Sequence, residues 1–350
     1  MFLVNLIISF VVVATLGGLY VVVKRYLEWY DDRFLDVKIG GWVSKQDNVV
    51  VQIIPPSNNE RSMAEMENFF INLAAIYSKK SKKDQYTEGK WYEAFTFEVH
   101  SRGGQINFYG HFNRNHLPLF RGSLAAHYPT ASVIESSDPF EGWPTEWKGQ
   151  VGPYTDLWGT DINYGKDDDL HPLKSWTEFQ RDDNTPITDP FSTLLTGLEN
   201  IQPEDYIVLQ FVLRPRSDSD VQKKWKKELK DLRKEFKENA NVDIDEKGGI
   251  QLLTKNEQNI LNTVEVKIAK DSYQFKIRMV ALTATKGPAR MIGPVMAYFK
   301  QYSTQYQFLK PHSDTKTSTS SENKDWGPFW DNYYWKKNKK FASNLFTNPY

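Results

Sequence analysis

The pattern of apolar and polar positions predicts most of the elements between residues 48 and 310. Asn48–Ile54 (NVVVQII) is a short β-branched run stopped by Pro55-Pro56, and reads as a buried strand. In Ser62–Tyr77, Met63, Met66, Phe69 or Phe70, Leu73 and Ile76 or Tyr77 recur at helical spacing. Ser78–Lys90 reads as a polar, Lys-rich loop. Ala94–Ser101 alternates, with Phe95, Phe97 and Val99 on one face, and Gln105–Phe112 does the same with Ile106 and Phe108. Gly103-Gly104 between them is a two-residue turn signal. With those glycines as the turn, Val99 faces Phe108 and His100 faces Asn107, so like meets like. A helix over Asn115–Tyr128 and a strand over Ala131–Glu135 complete a β-α-β-β-α-β order.

The order then repeats as pattern, without shared identity. Thr155–Tyr164 is a weak strand. Asp189-Pro190 opens a short helix, with Asp189 as cap and Pro190 at the first helical position. Tyr206–Leu213 (YIVLQFVL) and Tyr273–Thr283 read as strands, Pro288–Tyr302 as a helix and Gln305–Leu309 as a last strand. Between the two middle strands lies 218–271. There Val221, Trp225, Leu229, Leu232 and Phe236 form one apolar seam, and Leu253, Ile260 or Leu261, Val264 and Ile268 form a second. Two helices packed mainly on each other as an arm are expected, with packing of both seams on the sheet as the alternative. The fold class expected is therefore α+β: two ferredoxin-like units, 48–136 and 155–310, the second carrying the arm.

Ahead of this body, Phe2–Val23 (FLVNLIISFVVVATLGGLYVVV) holds no charge. A helix of that length spans the roughly 30 Å hydrocarbon core of a bilayer. Residues 1–25 are thus expected to be a single-pass transmembrane helix. Lys24 and Arg25 follow it, which places the N-terminus outside and the body on the cytoplasmic side of the cell membrane. The expected connector is 26–47, with Gly40-Gly41 ending any helix carried out of the membrane. Residues 137–154 read as a linker and 311–325 as a disordered linker. The tail, 326–350, sets Trp326, Trp330 and Trp335 beside Lys336, Lys337, Lys339 and Lys340. Aromatics next to lysines contact nucleic acid or a protein partner, or lie at a membrane interface; docking on the body is the plainer alternative.

Composition narrows the chemistry. The 350 residues carry 44 Lys plus Arg and 44 Asp plus Glu, so bulk attraction to nucleic acid is not expected, although local patches remain open. No cysteine is present, which excludes disulfides, thiolate metal sites and cysteine nucleophiles. Gly159–Lys166 has five residues between its glycines where a P-loop has four. Asp161, Asn163, Asp167 and Asp169 alternate like calcium ligands, but Pro172 stands where the bidentate Glu belongs. His100, His111 and His116 are close in sequence, and three histidines can hold zinc; polar strand-face histidines are the commoner case. The Ala284–Arg290 turn offers amides and two cations to an anion, or is a plain strand-to-helix turn. No catalytic, cofactor or metal residue is assigned, and no cofactor is expected.

Four stretches carry a resemblance. They are MAEMENFFINLAAIY, FTFEVHSRGGQINFYGHFNRNHLPLFRGSLAAHYPTASVIE, DPFSTLLTGLENIQPEDYIVLQFVLRP and YQFKIRMVALTATKGPARMIGPVMAYFKQY. In order and pattern they resemble a domain of unknown function of bacterial membrane proteins, often N-terminal to a conjugative-transfer, type IV secretion-like ATPase. No Walker motif accompanies them here. The resemblance implies a non-catalytic, membrane-anchored scaffold or docking subunit of a DNA-transfer or secretion machine, with the bilayer and a separate ATPase subunit as partners. The alternative is a module that binds nucleic acid or a ligand through the Lys-rich arm or the tail. A membrane-anchored hydrolase ranks third.

Overall fold

A computed structural model describes residues 2–30, 36–56, 61–141, 150, 152–166, 169–179, 189–216, 219–239, 253–285 and 287–318. The chain divides into two units, 1–47 with 78–92, and 48–77 with 93–350.

The first unit holds α1 (Phe2–Tyr30), α2 (Asp36–Val43) and, further along the chain, α4 (Lys82–Glu88). Ser81 caps α4 by accepting from the Asp84 N–H, and Gly89 ends it in the left-handed region at φ +66°. A Cβ on Gly89 would lie 2.4 Å from the Lys38 backbone, so only glycine lets α2 and α4 approach. Lys38 Nζ donates to the Tyr86 carbonyl at 2.9 Å. The segment expected as a loop thus holds a helix, and Gly40-Gly41 lies inside α2 instead of ending a helix.

The membrane expectation is corrected. Among the described residues, no helix is long and apolar enough to cross a membrane. The transmembrane anchor, the single-pass topology and the cell-membrane localisation are not supported.

In the second unit the strands are β1 (Asn48–Ile54), β2 (Phe95–Arg102), β3 (Gln105–Asn113), β4 (Ser132–Ser136), β5 (Asp156–Tyr164), β6 (Asp205–Pro215), β7 (Tyr273–Thr283), β8 (Leu309–Pro311) and β9 (Thr317–Ser318). Here too the expected fold is corrected: the strands do not form two separate ferredoxin-like units. They form one antiparallel sheet of a mixed α/β fold, in the order β4-β1-β3-β2-β6-β7-β5-β8, with β9 paired to β5. The physical reason is the β2–β6 pairing, a full ladder from Phe95 opposite Leu213 to Arg102 opposite Tyr206. Joining those two strands satisfies backbone groups that two separate sheets would leave at open edges.

One face of the sheet is covered by helices. On the β1–β4 side, α3 (Met63–Leu73) and α5 (Leu117–His127) bury Phe69 and Phe120 against Phe95 and Phe112. On the β5–β8 side, α6 (Pro190–Glu199) and α9 (Ile292–Gln301) bury Leu194, Leu198, Val295 and Phe299 against Ile207, Leu209, Ile277 and Met279. The insertion forms α7 (Ser219–Asn239) and α8 (Lys255–Ala269). Their seams meet: Val221, Trp225 and Leu229 share one buried cluster with Ile260, Leu261, Val264 and Ile268, closed by Leu170. Thr254 and Glu257 start α8 with a reciprocal capping box. Part of the segment expected as a disordered linker is ordered. The Asp161 N–H donates to Thr315 Oγ1 at 3.0 Å, and the His312 N–H donates to the Asp161 carbonyl at 2.8 Å.

Candidate functional site

The strand alternation that sends Val99, Leu209 and Met279 to the helices sends their neighbours to the opposite face. There the register lines up one polar row: Gln52, Tyr109, Glu98, Gln210, Arg278 and Asp161, each opposite the next across five strand pairings. Glu98, Gln210, Arg278 and Asp161 are buried. A buried charge persists only when it is paired and hydrogen-bonded; both Glu98 oxygens meet that condition, whereas His111 Nε2, Asp161 Oδ1 and Arg278 Nε sit in ion pairs without a hydrogen bond.

Glu98 is the hub. Its Oε2 accepts from His100 Nε2 at 2.8 Å, while its Oε1 accepts from Gln210 Nε2 at 2.6 Å and from Thr96 Oγ1 at 3.2 Å. His111 Nε2 lies 3.4 Å from the same Oε1. The Thr96 and His100 contacts lie within β2, His111 reaches over from β3, and the Gln210 bond crosses from β2 to β6. Beyond it, Arg278 Nη1 donates to Gln210 Oε1 at 3.4 Å. Asp161 then takes Lys276 at 3.0 Å and Arg278 at 3.7 Å. The row therefore bonds β2, β6, β7 and β5 together by side chains as well as backbone.

The electrostatics follow from this packing. Burial alone would raise the Glu98 carboxyl, but the hydrogen bond from His100 and the charge of His111 hold it well below the usual carboxylate range. Burial would push His111 down, yet Glu98, with Asp138 behind it, holds its imidazole above the ordinary value. Burial lowers the Arg278 guanidinium, against the opposing pull of Asp161 and Glu98.

One part of the row resembles catalytic wiring. The Tyr206 hydroxyl lies 2.6 Å from His100 Nδ1, and His100 Nε2 meets Glu98. A hydroxyl, imidazole and carboxylate in sequence is the layout of an activated nucleophile. Here the chemistry runs the other way. Burial, then the Glu98 charge, pushes the Tyr206 hydroxyl up, so it holds its proton. Phe140 and Tyr109 pack against the His100 ring at 5.4 and 4.9 Å. The adjoining cleft, lined by Phe140, Val208, Gln210, Arg278 and Val280, has room for about one water molecule.

The residues singled out by sequence do not gather into one site. His100 and His111 both turn onto Glu98, while His116 sits apart on Glu93 at 2.6 Å. Among the described residues no group of His, Asp and Glu is arranged to hold a metal ion. Asp161 belongs to the buried row, and Asp169 pairs instead with Lys224 at 2.7 Å. In the Ala284–Arg290 turn, Arg290 is taken by Asp205 at 2.5 Å. Trp326, Trp330, Trp335, Lys336, Lys337, Lys339 and Lys340 lie outside the described residues, as does Asp167. Sequence reading missed Gln210 and Arg278. The signal was there: each is a polar residue inside a run of apolar strand positions.

Fold and site together define a mixed α/β protein organised on one antiparallel sheet with a polar row buried across its middle. The chain belongs to the family described as a domain of unknown function, DUF8128, which it matches over residues 38–316. It matches no curated protein.

Proposed function

We propose that this protein is a non-catalytic scaffold or docking subunit of a multi-protein assembly whose motor is a separate ATPase chain. The observation that carries the reading is the state of the Glu98 carboxylate. The richest cluster of acids and bases in the second unit is spent on itself, with four side chains on one carboxylate and aromatic rings over the histidine. Groups held in this way stiffen a platform, and the Glu98 carboxylate is occupied by its own neighbours. The resemblance to domains that precede conjugative-transfer, type IV secretion-like ATPases supplies the kind of assembly. Loops and insertions on a rigid sheet are where such a platform meets its partners.

Native purification of the tagged chain, with subunits identified by mass spectrometry, tests the reading. The expected result is a stable complex containing a nucleotide-hydrolysing subunit, retained when His100 is replaced by Gln. A chain that purifies alone and turns over a substrate, with activity abolished by His100→Gln, overturns it.

A further inference from the structure

The arm carries a charge pattern that its packing does not explain. On α7 the apolar seam is consumed by α8, so the opposite side of the helix faces outward. That side reads Lys223, Lys227, Lys230, Lys234 and Lys237, spaced four, three, four and three apart, with Lys226 beside them. All six are exposed. Lys234 reaches Glu238 at 3.5 Å, whereas Lys223, Lys226, Lys227, Lys230 and Lys237 meet no carboxylate among the described residues. The basic residues nearer the seam are committed: Lys224 to Asp169 and Glu228, and Arg233 to Glu265 across the arm. The stripe is thus what remains after the arm's own pairing is complete.

We propose that this lysine stripe is a binding track for a nucleic-acid strand, held through its phosphates. From Lys223 to Lys237 the helix rises about 21 Å. That length matches about six phosphates at the roughly 3.4 Å spacing along one strand. The stripe is one row wide, because Asp231, Glu235 and Glu238 line its flank. A linear polyanion meets only the lysines, whereas a flat anionic membrane also meets those carboxylates. The helix has no apolar face left to insert into lipid, since its seam is buried in the arm. No base-reading group accompanies the lysines on this face, so the track is sequence-independent. The chain's net charge of zero does not oppose a local row of this kind, and it makes the row the place where any phosphate contact concentrates.

The test is fluorescence anisotropy of the full chain with labelled single- and double-stranded 20-mers across a salt series. Vesicles containing phosphatidylserine are run beside them. One variant carries Lys→Gln at 223, 227, 230, 234 and 237; the other carries it at 79, 82 and 83. The wild type and the second variant are expected to bind oligonucleotides, with affinity falling linearly in log salt. The first variant is expected to lose at least tenfold in affinity, with the single-strand salt slope reduced by about three. Far-UV circular dichroism confirms that it remains folded, as expected for exposed positions. No oligonucleotide binding at low salt, an unchanged slope in the stripe variant, equal loss in both variants, or stripe-dependent binding to vesicles alone overturns the proposal.

Discussion

The sheet connects a second strand to a third twice, by different means. β2 turns into β3 through Gly103-Gly104, and Arg102 pairs with Gln105. β6 reaches β7 only after the α7–α8 arm, yet Pro215 still pairs with Tyr273 and the Arg216 N–H still donates to the Ser272 carbonyl. The two connections leave the sheet at equivalent points and return to equivalent points. The strands' alternation and their cross-strand partners set the register in both cases, and the length of the connection does not. What differs is the use of the connection. The glycine turn is wedged against the chain after α6: the Gly103 N–H donates to the Asp205 carbonyl, and a Cβ on Gly104 would lie 2.4 Å from the Glu199 carbonyl oxygen. The arm stands on its own core and carries the lysine stripe.

This contrast gives its own tests. The largest change is to replace residues 216–272 by two glycines, making the second connection like the first. The sheet is expected to survive as a cooperative, monodisperse fold that has lost the helical signal of the arm. The cost of uncovering Leu170 is about 1.5–3 kcal/mol. Aggregation, or loss of cooperative melting, would show that the arm is part of the sheet's core. Among single substitutions the largest effect falls at the join of the two halves. Glu98→Ala leaves His100, His111 and Gln210 without their shared partner, and chemical denaturation is expected to show a loss of about 3–5 kcal/mol. Gly104→Ala comes next, at about 1–2 kcal/mol from its left-handed backbone, φ +87°, with crowding by Glu199 added. An equivalent loss from substitution of a charged residue on the exposed side of α7 would erase the contrast.

The smallest effect is a pH dependence. His111 binds its proton more tightly folded than unfolded, its folded value being raised above 6.5. Its contribution is therefore complete below pH 6.5 and is lost as the pH rises through the raised value. Glu98 has the opposite sign. Its folded value lies well below 4.5, so its contribution is present above pH 4.5 and is lost as the pH falls toward that lower value. In His111→Gln, the decline on the alkaline side of 6.5 is expected to flatten, and the acid limb to weaken without vanishing, because His111 is one of the groups that hold Glu98 down and His100 remains as the other, as read from denaturation midpoints across pH.

Local patterns carried a good deal of this. The hairpin register was legible because Gly103-Gly104 fixes which residues face each other, and Val99 does meet Phe108 as His100 meets Asn107. The arm's seams were legible because apolar residues spaced by three and four have few other uses. The β2–β6 join was not legible: its partners are more than a hundred residues apart, and backbone pairing leaves no periodic trace. Glu98 and Gln210, polar residues inside apolar strands, were its marks, but each looked like an ordinary polar-face residue until the register placed them side by side. α4 was missed because KKDQYTE has almost no apolar content; its Ser81 cap and Gly89 stop were the readable signals. The apolar charge-free run at the N-terminus predicted a membrane span, and among the described residues no helix meets that length and apolarity.

The continuity of the sheet through β2 and β6 is the claim on which the rest stands, and amide hydrogen exchange measures it strand by strand. If the join holds, the amides of Thr96–Ser101 and Ile207–Val212 exchange only with global unfolding, as slowly as those of β3 and β7. Fast exchange confined to β2 and β6, with β3 and β7 still protected, would mean that the two halves are separate sheets and would contradict the account.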